Sequence, residues 1–205
     1  CESDILKLRF LLQRFFMAIE ELKNQKEIDE LVKQAQDGST EAFAKLYDTY
    51  VNSIFRYVSF RVPKEEALDI TETVFLRTWE HLGSYRKLTG SFSSWIFRIA
   101  HNLVIDHYRA HKDVSAIEGL DILDESKEAN PKRMAENKLS QDALKKAIAK
   151  LKKKYQQILL LGYVGGLNNR EIARIMNRNE GSLRILKFRA LQSLRKILED
   201  MNITY

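Results

Sequence analysis

The chain has 205 residues, with 34 Lys and Arg against 28 Asp and Glu and a formal net charge of +6, a length that suits one or two small domains. Only 8 Gly and 2 Pro, with no alternating apolar pattern, exclude a strand-rich or low-complexity protein and predict an all-α fold. The lone Cys1 excludes an internal disulfide and fits a reducing cytoplasm, and no apolar run approaches the roughly 20 residues that span a membrane.

Residues 1–27 read as an N-terminal extension. Ile5 to Phe16 is apolar but broken by Lys7, Arg9 and Arg14, which argues against a signal peptide. Met17 reads as a natural start, which would leave 1–16 outside the native chain. A helix from about Ile28 ends at Asp37-Gly38, and a second runs from Thr40 to about Arg61. Phe43, Leu46, Tyr47, Tyr50, Ile54 and Val58 form its stripe. Pro63 stops it, and a third helix over 64–82 offers Leu68, Phe75, Leu76 and Trp79 as candidate core. A polar loop from Gly83 to Ser91 leads to a fourth helix, Ser93 to about His111. Residues 113–135 lose periodicity and contain Pro131, which predicts a flexible acidic tether. Helices near 138–150, 153–164, 169–176 and 180–199 follow. Two small helical domains are predicted, 28–112 and 136–200, with separate cores and a mobile tether over 113–135 between them.

Charge is distributed by segment. Residues 1–112 hold 16 basic and 16 acidic side chains, residues 113–131 one Lys against six acids, and residues 132–205 17 basic against six acidic. The net charges are therefore 0, −5 and +11. The basic third also carries a helix-turn-helix pattern. Asn168 and Glu171 can close a capping box, and Asn177-Arg178-Asn179 breaks the apolar pattern, with Asn179 able to cap the next helix. Leu183, Leu186, Ala190, Leu191 and Leu194 then recur at spacings of three and four and face inward. Opposite them stand Ser182, Arg184, Ile185, Lys187, Phe188 and Arg189. A helix with outward donors near its N-terminus is what major-groove readout requires. An ordinary helical hairpin with a solvated basic face would show the same spacing.

The fourth helix also carries two faces. Trp95, Ile96, Ile99, Ala100, Leu103 and His107 share one, and Arg98, Asn102, Asp106 and Arg109 the other. Phe97, His101, Ile105 and Tyr108 flank the polar stripe. Rings beside Arg and Asn suit exposed bases, although aromatics at helical spacing are equally what a core requires. Enzyme chemistry finds little support. His107 and His111 are four apart but lack a third metal ligand, Glu65-Glu66 has no His or Ser partner, and Gly165-Gly166 is a turn between helices rather than a phosphate loop. No catalytic residue, metal or cofactor is expected.

Three segments carry a family resemblance. GSFSSWIFRIAHNLVIDHYR (90–109) resembles the promoter-melting segment of bacterial RNA polymerase sigma factors of the sigma-70 family, extracytoplasmic-function group. EALDITETVFLRTW (66–79) is similar to that group's polymerase-docking helix, and ILLLGYVGGLNNREIARIM (158–176) with EGSLRILKFRAL (180–191) resembles its C-terminal helix-turn-helix. The resemblance implies a region 2-like bundle and a region 4-like domain. It implies core polymerase and promoter DNA as partners, commonly with an anti-sigma factor, and no membrane insertion. By resemblance, Asp69, Glu72, Phe75 and Arg77 meet the polymerase. Tyr85, Arg98, His101, Asn102, Asp106 and Arg109 meet the minus-ten element, with Tyr85 and Asn102 at the base-capture positions. Ser182, Arg184, Ile185, Lys187, Phe188 and Arg189 meet the minus-thirty-five element. The chain departs from the family at Glu72-Thr73, where Gln-Glu is usual, and at Ile185 and Leu186, where small or basic residues are commoner. A stand-alone helix-turn-helix regulator with a sensor or dimerisation half is the alternative, but it gives no reason for the 64–109 block.

Overall fold

The computed structural model describes Lys7, Leu12, residues 25–110 and residues 143–202, and among these every regular element is helical. The tether over 113–135, His111 and the rest of the extension lie outside the described residues. The first unit contains α1 (Gln25–Gln36), α2 (Thr40–Ser59), α3 (Lys64–His81) and α4 (Phe92–Ala110). Two 3-10 turns, Leu82–Ser84 and Lys87–Thr89, join α3 to α4. In the second unit, helical residues 143–149 precede α5 (Lys153–Tyr163), α6 (Asn169–Ile175) and α7 (Glu180–Asp200).

The boundaries follow from local chemistry. Gly38 takes φ 99°, a left-handed conformation that ends α1 without the Cβ penalty. Ser39 then caps α2, its Oγ accepting from the Ala42 N–H at 3.1 Å. Pro63 cannot continue α2 and instead heads α3.

The face on which α3 sits differs from the one expected. Of its four candidate core residues only Phe75 is buried, while Leu68 (49% exposed), Leu76 (58%) and Trp79 (41%) face outward. Ala67, Thr71, Val74 and Thr78 pack inward in their place. The Thr71 and Thr78 hydroxyls donate to the carbonyls of Ala67 and Val74, each at 2.7 Å, so both threonines are buried with their polar atoms satisfied. Small side chains allow a close helix approach. A reading weighted by side-chain size selects the opposite face.

The two units also fail to keep separate cores. Their buried side chains form one continuous cluster, which includes Leu12 from the segment read as an extension. Helix α4 lies against α6. Gly165, just beyond α5, backs onto Phe97, and a Cβ there would stand 3.3 Å from that ring and 2.8 Å from the Leu161 carbonyl oxygen. Polar contacts cross the same boundary. Ser91 Oγ donates to Glu171, Gln157 Nε2 lies 2.7 Å from His101 Nδ1, and Lys153 Nζ stands 3.7 Å from the Tyr108 ring centroid.

Candidate nucleic-acid interface

The helix-turn-helix is built by three asparagines. Asn168 Oδ1 accepts from the Glu171 N–H at 3.1 Å while Glu171 Oε2 accepts from the Asn168 N–H at 3.0 Å, so the expected capping box forms. Asn177 turns the chain at φ 50°, a left-handed position that Asn tolerates better than most residues. Asn179 Oδ1 then accepts from the Ser182 N–H at 2.7 Å and starts α7. Each cap satisfies an amide that the helix itself leaves open.

Leu183, Ala190, Leu191 and Leu194 hold α7 to the second unit, with Leu198 continuing the same face. Arg184, Ile185, Phe188 and Arg189 are exposed on its outer side, and Ser182 and Lys187 are half-buried. Lys187 Nζ sits 5.2 Å from the centroid of the Tyr163 ring, so its charge is held beside the exposed residues of this face. This face is cationic and interrupted by two apolar side chains, Ile185 and Phe188.

Helix α4 presents its groups less uniformly. Arg98, Asn102, Asp106 and Arg109 are exposed, and Arg109 reaches Asp106 at 3.3 Å. The flanking rings, which spacing left either open to bases or part of a core, pack into the protein. Phe97 is buried edge-on to Tyr57 at 5.6 Å, and Tyr108 donates its hydroxyl to the Arg61 carbonyl. His101 is buried between Tyr57 and Gln157. Burial, helped by the nearby Arg61 charge, pushes its pKa down to about 4, which leaves it neutral near pH 7.

Tyr85 and Asn102 are unequally placed. The amide of Asn102 is exposed, but the Tyr85 ring is only 5% exposed. It packs 5.6 Å from Phe92 and 5.4 Å from Trp95, and its hydroxyl donates to the Gly90 carbonyl at 3.0 Å. Burial raises its pKa to about 12, with Asp29 the next contributor. Tyr85 therefore shapes the 82–91 loop from beneath. Leu88 stands at the loop surface almost fully exposed; its only sequence signal is a single apolar residue between Lys87 and Thr89.

On α3, Asp69, Glu72 and Arg77 are exposed as expected, whereas Phe75 is buried against Tyr47, 4.5 Å between ring centroids. Leu68, Glu72, Leu76 and Trp79 fall on one stripe of the helix at successive spacings of four, four and three. Tyr47 extends this surface from α2, and Trp79 is held edge-on by Phe43 at 4.8 Å. The result is an apolar surface edged by carboxylates, which the core assignment of these residues had concealed. Among the described residues no three His, Cys, Asp or Glu side chains are grouped to hold a metal, and no helix is long and apolar enough to cross a membrane.

The two units match two family models in turn. The family model for Sigma-70 region 2 matches residues 46–114, and that for Sigma-70, region 4 matches residues 141–194. The ECF RNA polymerase sigma factor BldN of Streptomyces coelicolor is 35% identical over 173 residues, covering 83% of this chain and 66% of the relative. The chain thus spans about two thirds of that protein's length. SigW of Bacillus subtilis, another ECF RNA polymerase sigma factor, is 30% identical over 192 residues, covering 85% of this chain and 98% of SigW. In fold, the chain is similar to the sigma factor RpoE of Bartonella quintana, solved in complex with the anti-sigma factor NepR. That match has a TM-score of 0.59 at 18% identity and covers 78% of this chain and 98% of the other.

Proposed function

We infer this chain's role from the family to which it belongs, the ECF RNA polymerase sigma factors. It binds core RNA polymerase, directs it to particular promoters and helps open them, without bond chemistry of its own. The observation that carries this reading is the joint presence of two dissimilar outward faces. The α3 face is apolar with carboxylates at its edge, suited to a protein partner. The α7 face is cationic and begins at a capped N-terminus, suited to the major groove.

In this mechanism Leu68, Leu76 and Trp79 supply the buried area of the polymerase contact, and Asp69 and Glu72 supply its orientation. Arg184 and Arg189 meet base edges or phosphates of the minus-thirty-five element, while Ile185 and Phe188 suit thymine methyl groups. Arg98, Asn102 and Arg109 line the path of the minus-ten strand, and the Asn102 amide reads the edge of a flipped base. Flipping costs a few kcal/mol of unstacking, which such contacts offset. Tyr85 acts by holding the loop that borders the captured base. An anti-sigma protein is a further proposed partner, supported by the fold shared with a sigma factor solved bound to one. The deciding experiment is run-off transcription on genomic fragments with purified core polymerase, with and without this chain. Specific initiation that depends on the chain is expected; no gain over core alone would overturn the reading.

A further inference from the structure

Among the described residues, the boundary between the two units is not completely filled. A cleft of about 600 Å³ opens there, within the size range of small-molecule sites. Its first wall includes Arg61, which is 1% exposed. Arg61 Nη1 donates to the Tyr57 hydroxyl at 3.0 Å, and the guanidinium carbon lies 5.7 Å and 5.6 Å from the Tyr57 and Tyr108 ring centroids. Its Nε is buried with no hydrogen-bond partner. No carboxylate pairs with Arg61 among the described residues. A guanidinium stays charged at any ordinary pH, and burying one without an anion is costly.

The second wall adds more positive charge. Lys146, Lys150 and Lys153 line the cleft and are exposed at its mouth. Among the described lining residues Glu66 is the one carboxylate, and its Oε2 lies 2.8 Å from His107 Nε2 rather than on the guanidinium. Val62, Leu151 and Met201 give the same cleft an apolar side. A fixed buried cation, exposed lysines and an apolar wall are the elements of a site for an anion with an organic body.

We propose that this cleft binds a small phosphorylated organic anion of nucleotide size. The phosphate sits between Arg61 and the lysines, and the body rests against Val62, Leu151 and Met201. Because both units line the cleft, an occupant binds the packed arrangement better than a separated one and shifts the population toward it.

Calorimetric titration of the full chain with magnesium-free ATP, inorganic pyrophosphate and adenosine tests this. ATP is expected to bind saturably at one site, pyrophosphate more weakly, and adenosine not measurably. At a hundredfold excess over Kd, ATP should raise Tm by about 5–10 °C. Arg61→Met could fail to fold, so the deciding variant is Lys146→Gln with Lys150→Gln on the surface. It should keep the unliganded Tm and lose at least tenfold in ATP affinity. Lys45→Gln with Lys196→Gln, exposed and outside the cleft lining, should bind as the parent does. Equal losses in both pairs, or no saturable binding of either phosphate probe, would overturn the site. Pyrophosphate binding as tightly as ATP would overturn the organic-body assignment.

Discussion

Phe188 and Ile185 lie beside the cationic stripe of α7 and face solvent, whereas Phe97 and His101, beside the equivalent stripe of α4, are buried between the two units. Both helices place donors at helical spacing with apolar side chains on the flank. The difference lies in what covers the flank. On α7 the inner face is satisfied by Leu183, Ala190, Leu191 and Leu194, and nothing among the described residues buries Ile185 or Phe188 on the outer one. On α4 the flank meets Gly165 and Gln157, close enough for van der Waals and hydrogen-bond contact. An uncovered apolar residue among cations is available to another molecule. A covered one must first be released, and that release has a free-energy cost.

The comparison breaks most readily at Phe97. Phe97→Ala removes a fully buried ring and should cost about 3–5 kcal/mol, a fall in Tm of roughly 10 °C or more. Phe188→Ala should stay within about 0.5 kcal/mol. Thermal unfolding of the two variants checks this; equal, small shifts would mean that Phe97 is as uncovered as Phe188. The next effect concerns α3, where exposed residues should matter only to a partner. Glu72→Lys combined with Leu76→Arg should leave the free protein's Tm unchanged and weaken core polymerase binding by about 100-fold, near 3 kcal/mol. Binding titrations with labelled core enzyme measure it, and unchanged affinity would remove α3 from the polymerase contact.

His101 sharpens the same contrast through pH. Its folded pKa, near 4, lies below the ordinary value of 6.5, so the unfolded chain takes up the proton first. Stability from this residue is therefore complete above about pH 6.5 and lost as pH falls toward 4. The expected loss between pH 7 and 4.5 is about 2–3 kcal/mol. His101→Gln should show a shallower decline over that window; identical slopes would place the titration elsewhere.

The parts legible in the sequence were those governed by local chemistry. The caps at Asn168 and Asn179, the stop at Pro63 and the turn at Asn177 each follow from what one side chain does to its neighbouring amides. The inward face of α7 was legible because leucines dominate it. The inward face of α3 was not, because Thr71 and Thr78 hide their hydroxyls against the preceding turn and pack like small apolar residues. The burial of Tyr85 was hidden for a related reason. Its ring reads as an accessible platform until the Gly90 carbonyl is brought back over the hydroxyl by the loop. Contacts between units, such as Phe97 with Gly165, depend on a separation in sequence that periodicity cannot register.

The smallest effects test whether α7 reads bases or only meets phosphate. Arg184 is exposed near the start of the helix, where a guanidinium can pair bidentately with one guanine. Arg184→Ala should cost about 1–3 kcal/mol of discrimination, confined to one base pair. Lys187 is half-buried with its ammonium over Tyr163, a placement better suited to a point contact with the backbone. Lys187→Ala should weaken binding to all sequences alike and reduce the slope of log K against log salt by about one. A promoter library bound by each variant at two salt concentrations separates the two. If Arg184→Ala changes affinity without changing sequence preference, the specificity of this face rests on Ile185 and Phe188, the two apolar side chains by which it departs from a simple cationic surface.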